Sequence, residues 1–174
     1  MTIAKGLTSA YAPLSGSIVS EKMWAVLEQG TDENGPIGHG WTYSAHPIGA
    51  AAGVANLELI DTLGLVENAR TVGAYLNAQL HSALAAHSHV GDVRGEGMFC
   101  AVEFVADKDT RTFYDVNDKI GPQIAATLLA QSNVIARAMP QGDILGLAPP
   151  FCLTKAEADL VVSATVRAVE TVLG

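Results

Sequence analysis

Clustered positive charge is what this sequence most plainly lacks. Its 174 residues hold 10 Lys and Arg against 18 Asp and Glu, for a formal charge of −8, and the basic residues stand singly. A nucleic-acid footprint needs Lys and Arg gathered on one face, so that class of partner is excluded. Charge of either sign is scarce: 16% of residues are charged, against about 25% in an ordinary soluble domain. Cysteine is nearly absent. Cys100 and Cys152 form no C-x-x-C pair, which excludes a disulfide framework and makes a reducing cytoplasm the expected setting. Long apolar runs are missing as well. The longest, "PIGAAAGVANLELI", falls short of the roughly 20 residues that a membrane span requires, and no basic-then-apolar leader opens the chain. No membrane is expected.

What is present is apolar: 49% of residues, with a mean hydropathy of +0.26. A chain of this length buries about 70% of its unfolded surface, so it holds a real core, and the surplus of apolar residues implies surface that faces a partner. After Met1 the chain enters "TIAKGLTSAYAPLSG", which reads as the end of a buried strand closed by Lys5 and Gly6, with no polar lead-in.

The elements then come in mixed order. Ser20 reads as the N-cap of a helix through "EKMWAVLEQG" that Gly30 ends. "TDENGPIGHGWTYSAH" reads as a loop, after which Pro47 takes the first position of a helix that Gly64 breaks. A second helix follows with Val66, Ala69, Val72, Leu76 and Leu80 on its apolar face. "VGDVRGEGMFCAVEFV" reads as strand, tight turn at Gly95 and Gly97, strand. "DKIGPQIAATLLAQSN" reads as a helix, "VIARAMP" and "DILGLAPP" as short strands, and the last segment as an amphipathic helix with Thr154 and Glu157 as a capping box. From about residue 85 the order is β-β-α-β-β-α.

Few residues carry chemistry. Lys5 is either an ordinary exposed lysine or an amine desolvated by Ile3 and Ala4 and turned outward by Gly6, which suits a Schiff base. The hydroxyls of Thr42, Tyr43 and Ser44 precede a helix N-terminus, where they either cap a plain loop or hold a phosphate. Arg137 lies on a short apolar strand, where its guanidinium meets either Glu103 of a neighbouring strand or a substrate carboxylate. His87 and His89 lack further ligands and read as solvated surface, so no metal is expected. "RGEGMF" reads as a turn rather than half a phosphate loop.

Taken in order, "TIAKGLTSAYAPLSG", "HGWTYSAHPIGAAAGVANLELI", "VRGEGMFCAVEFV" and "VIARAMPQGDILGLAPPFCLTKAEAD" closely resemble the C-terminal part of class III aminotransferases, the pyridoxal-phosphate enzymes of fold type I. The ω-amino acid and ω-amine:pyruvate group is the nearest in pattern. The resemblance spans essentially the whole chain. It implies an α/β fold of which this is a part: residues 1–60 as the end of the large cofactor domain, 61–84 as a connecting helix, and 85–174 as an α+β small C-terminal domain. It implies that Lys5 joins pyridoxal 5'-phosphate as a Schiff base and shuttles the substrate proton. Thr42, within the family's "TYSxHP" segment, matches the threonine that reaches the cofactor phosphate of a neighbouring subunit, so a homodimer is implied. Arg137 matches the mobile arginine that pairs with a keto-acid or amino-acid carboxylate, and Trp41 and Tyr43, flanking Thr42, are expected to line the substrate pocket from the partner subunit. The family has Gly where Ala45 stands.

The resemblance also implies parts that these residues do not supply: a Gly-Ser phosphate turn, an aromatic stacked on the pyridine ring, and an aspartate for the ring nitrogen. The isolated chain is therefore expected to transfer amino groups from an amine to a keto acid weakly or not at all. Its expected partner is a second copy or a complementing N-terminal chain. A folded remnant that binds no cofactor and a plain α+β binding module are the other two readings.

Overall fold

A computed structural model describes all 174 residues. The chain divides into two compact units, Met1–Leu63 and Gly64–Gly174.

The first unit opens with β1 (Thr2–Ile3), which pairs antiparallel with β2 (Gly16–Ser17). Between them lies a 3-10 turn, Lys5–Thr8. The strand is two residues long and half exposed, not the buried strand end that its apolar residues suggest. Helix α1 (Glu21–Asn34) starts as expected, with the Ser20 hydroxyl accepting the Met23 N–H at 3.3 Å. It runs on through Gly30, where the sequence predicts an end. A glycine inside a helix costs only about 1 kcal/mol relative to alanine, which is no stop by itself. Gly35, at φ +81°, ends the helix instead. Helix α2 (Pro47–Thr62) carries Pro47 in its first turn and His46 as N-cap.

This unit has almost no interior. Helix α1 buries no residue, α2 buries only Gly49 and Gly53, and Thr8 is the one other buried residue. Trp24, Leu57 and Tyr11 are exposed.

The second unit holds the core. Gly64, at φ +60°, starts α3 (Leu65–Leu84). The antiparallel hairpin β3 (Val90–Glu96) and β4 (Phe99–Phe104) follows, then α4 (Ile120–Ser132), β5 (Arg137–Ala138), β6 (Ile144–Leu147) and α5 (Lys155–Leu173). The four strands form one antiparallel sheet in the order β3-β4-β6-β5. Cys100, Val102 and Phe104 alternate along β4 into the core, while Phe99 on the other face is exposed. Burial pushes the Cys100 thiol up to about 11. Ala69, Val72, Leu76, Leu80 and Leu84 supply the buried stripe of α3. Val66, in phase with them at the first turn, is exposed. Of the connector expected over residues 61–84, residues 65–84 pack into the same core as the sheet, because their apolar stripe is buried there.

Helix and hairpin meet backbone to backbone. A Cβ on Gly73 would stand 2.3 Å from the Gly97 carbonyl, and Gly97 sits at φ +54° in the two-residue turn that it shares with Met98. Gly95 is a strand residue opposite Cys100, not part of the turn. The Asn77 side-chain amide donates to the carbonyls of Gly73 and Gly97, both at 3.0 Å. At α5 the capping box forms as the spacing predicts: Thr154 Oγ1 accepts the Glu157 N–H at 3.2 Å, and Glu157 Oε2 accepts the Thr154 N–H at 2.8 Å. That backbone N–H, with the Thr154 hydroxyl, holds the Glu157 carboxyl below its ordinary range.

His87 and His89 are half-buried, not solvated. Nδ1 of His87 accepts the His89 N–H at 3.1 Å, a role that only the unprotonated nitrogen fills. Tyr114 Oη lies 2.8 Å from His89 Nδ1. Burial, followed by His89, holds the His87 ring below its ordinary value of 6.5; Glu170 opposes this and Lys108 adds to it. The folded state therefore favours neutral His87. Its contribution is fully present above the unfolded value and is lost as pH falls through the lowered one. Denaturant midpoints of the second unit are expected to fall between about pH 7 and pH 5, and His87→Asn, whose amide oxygen keeps the acceptor, is expected to flatten that slope. Parallel profiles for the two proteins would refute it.

Candidate functional site

The site is built on the turn that follows β1. Ala4 is extended, and Lys5 then enters the left-handed region at φ 52°. Ser9 and Ala10 lie there too, at φ 49° and 64°, and so does Ala45, at φ 57°. A non-glycine residue in this region costs about 1–2 kcal/mol, and such residues gather where a backbone is held for a purpose. Three of these four, Lys5, Ala10 and Ala45, line one cleft of about 810 Å³. Thr8, Trp41, Tyr43, Ser44 and His46 line it with them.

Local bonds fix the walls. The buried Thr8 hydroxyl donates to the Ala12 carbonyl at 2.6 Å, closing the loop on itself. Ser44 Oγ accepts the Trp41 N–H at 2.8 Å, and the Ser44 N–H returns to the Trp41 carbonyl at 2.9 Å. The serine oxygen thus follows the first of its two readings and organises its own turn. The rings of His39 and Trp41 meet edge to face at 5.0 Å. His46 Nδ1 accepts the Ile48 N–H at 3.3 Å, so its other ring nitrogen keeps a proton. His46 was not singled out in the sequence, although its place directly before Pro47, where an N-cap belongs, marks it.

Of the residues singled out, Lys5, Trp41, Tyr43 and Ser44 come together in this cleft of one chain. The Lys5 side chain is exposed, so the apolar Ile3 and Ala4 do not desolvate it within this chain. Thr42 lies exposed in the turn between Trp41 and Tyr43 and is not among the lining residues. Arg137 is exposed on β5 of the second unit, opposite Gly146. Glu103 does not reach it, because β6 lies between β4 and β5. Glu103 instead accepts from Arg94 at 2.6 Å, and Arg94 also reaches Asp92 at 2.8 Å.

Chemically, the cleft offers one primary amine, several hydroxyls and a neutral ring donor, with no carboxylate and no guanidinium among its lining residues. The amine fits the aldehyde end of pyridoxal phosphate. Nothing in the lining fits the ring nitrogen, which needs an acid to stay protonated.

A family model described as aminotransferase class-III matches residues 1–169. A diaminobutyrate–2-oxoglutarate transaminase of Halomonas elongata is 56% identical over 172 residues, 99% of this chain and 36% of that protein. A solved structure from the directed evolution of transaminases by ancestral reconstruction matches with a TM-score of 0.96 at 56% identity, over 98% of this chain and 37% of the other. An (S)-enantioselective omega-transaminase from Thermomicrobium roseum matches with a TM-score of 0.89 at 35% identity, over 99% and 37%. The chain thus spans little more than a third of the length of the proteins it matches. With the fold of that third reproduced and the motifs in their order, this chain belongs to the class III aminotransferases, whose cofactor is pyridoxal phosphate.

Proposed function

We propose that these residues supply the amine-bearing turn and the small C-terminal domain of an aminotransferase that moves an amino group from an ω-amino acid or amine to a keto acid. The observation that carries this is the gathering of Lys5, Trp41 and Tyr43 on one cleft in a chain of this family. Pyridoxal phosphate, when bound, supplies a ring that stabilises negative charge at the substrate carbon. Lys5 Nζ would hold the cofactor covalently and carry the proton removed from that carbon. The Thr42 hydroxyl would meet the cofactor phosphate across a subunit interface. The Arg137 guanidinium would grip the carboxylate of the keto acid in bidentate fashion, and Trp41 and Tyr43 would enclose the amine. Pyruvate and 2-oxoglutarate are the acceptors to compare, the second because it stands in the name of the Halomonas relative.

With no acid lining the cleft, the ring nitrogen's partner is assigned to polypeptide outside these 174 residues, and turnover by this chain alone is expected to be very weak. The test is a visible-absorbance titration with pyridoxal phosphate, then an ω-amine, run on the chain alone and on the chain mixed with the N-terminal remainder of the Halomonas relative. The expected result is a saturable band in the mixture that responds to the amine and disappears in Lys5→Ala. An undiminished band in Lys5→Ala would overturn the assignment. A strong, amine-responsive band in the chain alone would overturn its incompleteness.

A further inference from the structure

Helix α2 turns one face to the segment that carries Lys5. Gly49, Gly53 and Asn56, spaced by four and three residues, share that face. A Cβ on Gly49 would stand 3.4 Å from the Pro13 carbonyl, and one on Gly53 would stand 3.0 Å from the Leu14 side chain. Where the helix comes this close, the next residue of the stripe reaches the turn itself. Asn56 Nδ2 donates to the Gly6 carbonyl at 3.0 Å and to the Leu7 carbonyl at 3.2 Å, and its Oδ1 accepts the Ser9 hydroxyl at 2.6 Å. Both donors and the acceptor of one amide are thus committed to residues within four positions of Lys5.

We infer that Asn56 is the positioning residue for Lys5, an inference that rests on the function proposed above for that lysine. Lys5 sits in a left-handed conformation that a free chain leaves readily, and leaving it re-aims the Cα–Cβ bond. The two carbonyls that directly follow Lys5 are the ones Asn56 holds, so the amide keeps the turn closed in the form that points the amine at the cleft. Thr8, the other side chain bonded within the turn, reaches only Ala12 and ties nothing to a helix. Asn56 touches neither cofactor nor substrate in this role.

The test uses the full chain. Pyridoxal phosphate is added in limiting amount and fixed with borohydride, and the label is counted by peptide mass spectrometry at Lys5, Lys22, Lys108, Lys119 and Lys155. In the natural sequence Lys5 is expected to take the largest share. In Asn56→Ala the Lys5 share is expected to fall by about tenfold or more, three modest hydrogen bonds being lost together, while Lys22 on α1 keeps its rate. Asn56→Asp, which keeps the Ser9 acceptor and loses both donors, is expected to fall between Asn56→Ala and the milder Ser9→Ala. Lys22 separates positioning from general loosening, since loosening would change both lysines. Amide exchange of Gly6 to Ser9 gives a readout independent of the cofactor and is expected to accelerate in Asn56→Ala. If Lys5 is preferred in the natural sequence and equally preferred in Asn56→Ala, the inference is overturned and the proposed function stands. If Lys5 is not preferred in the natural sequence, the labelling reflects the missing remainder of the site, and the proposed function is decided by the titration of the mixture. The clamp is then decided by exchange: acceleration confined to the turn supports it, and unchanged exchange overturns it.

Discussion

Gly73→Ala is expected to lower the stability of residues 64–174 by about 3 kcal/mol, at the upper end of what an overpacked core costs. On helix propensity alone the same change gains about 1 kcal/mol, so the sign of the result decides which effect governs. The new methyl would lie 2.3 Å from both atoms of the Gly97 carbonyl and 2.8 Å from its Cα. These are backbone atoms in a turn held at a positive φ and bonded to Asn77, so they cannot swing aside as a flexible side chain would. Denaturant unfolding followed by helix dichroism reads the effect. Ala74→Gly, exposed on the same helix, is the control and is expected to cost only the propensity difference. A neutral or stabilised Gly73→Ala would mean that helix and hairpin do not touch at Gly97.

Residues 64–174 expressed alone are expected to unfold in one cooperative transition at nearly the midpoint of the full chain, while residues 1–63 contribute little to it. Every buried apolar side chain of the molecule belongs to the second unit. The first unit buries only Thr8 and two glycines, so its order rests on local hydrogen bonds such as those of Asn56 and it adds little to the cooperative transition. At about 0.7 kcal/mol per residue, the calorimetric enthalpy of the full chain should match that of about 110 residues. The exposed Tyr11, Trp24 and Leu57 should bind a hydrophobic dye in the full chain, and the signal should fall when 1–63 is removed. A full-chain enthalpy that scales with all 174 residues, without dye binding, would refute both parts.

The second unit was largely legible in the sequence because its signals are local and redundant. The capping box at Thr154 and Glu157, the alternation along Cys100, Val102 and Phe104, and the four-residue spacing of Leu76, Leu80 and Leu84 each specify an element without reference to anything distant. The errors came where a single residue was asked to decide. Gly30 lies inside α1 because an interior glycine is merely costly. Val66 is exposed because periodicity marks a face but not how far along it the partner extends. Glu103 was one of two partners that the sequence left open for Arg137, but strand order is a long-range property, and β6 separates the two. In the cleft, Lys5 stood out through the apolar residues before it, and yet its side chain is exposed. What brings it together with Trp41 and Tyr43 is a turn with left-handed Lys5, Ser9 and Ala10, which no residue-type preference announces. Asn56 was equally invisible, since an asparagine on an apolar helix carries no mark of what it will reach about fifty positions earlier.

The strand order β3-β4-β6-β5 leaves two edges, and neither invites another strand. β3 shifts register between Val90 and Asp92 and carries Asp92, Arg94 and Glu96 along its length. β5 is two residues long and is followed closely by Pro140. Charge, irregularity, shortness and proline are the means by which an edge refuses pairing. The sheet is therefore a finished object, four strands wide and closed to growth. Contacts made through the side chains on its faces and helices are thus open to redesign residue by residue without disturbing the ladder beneath them.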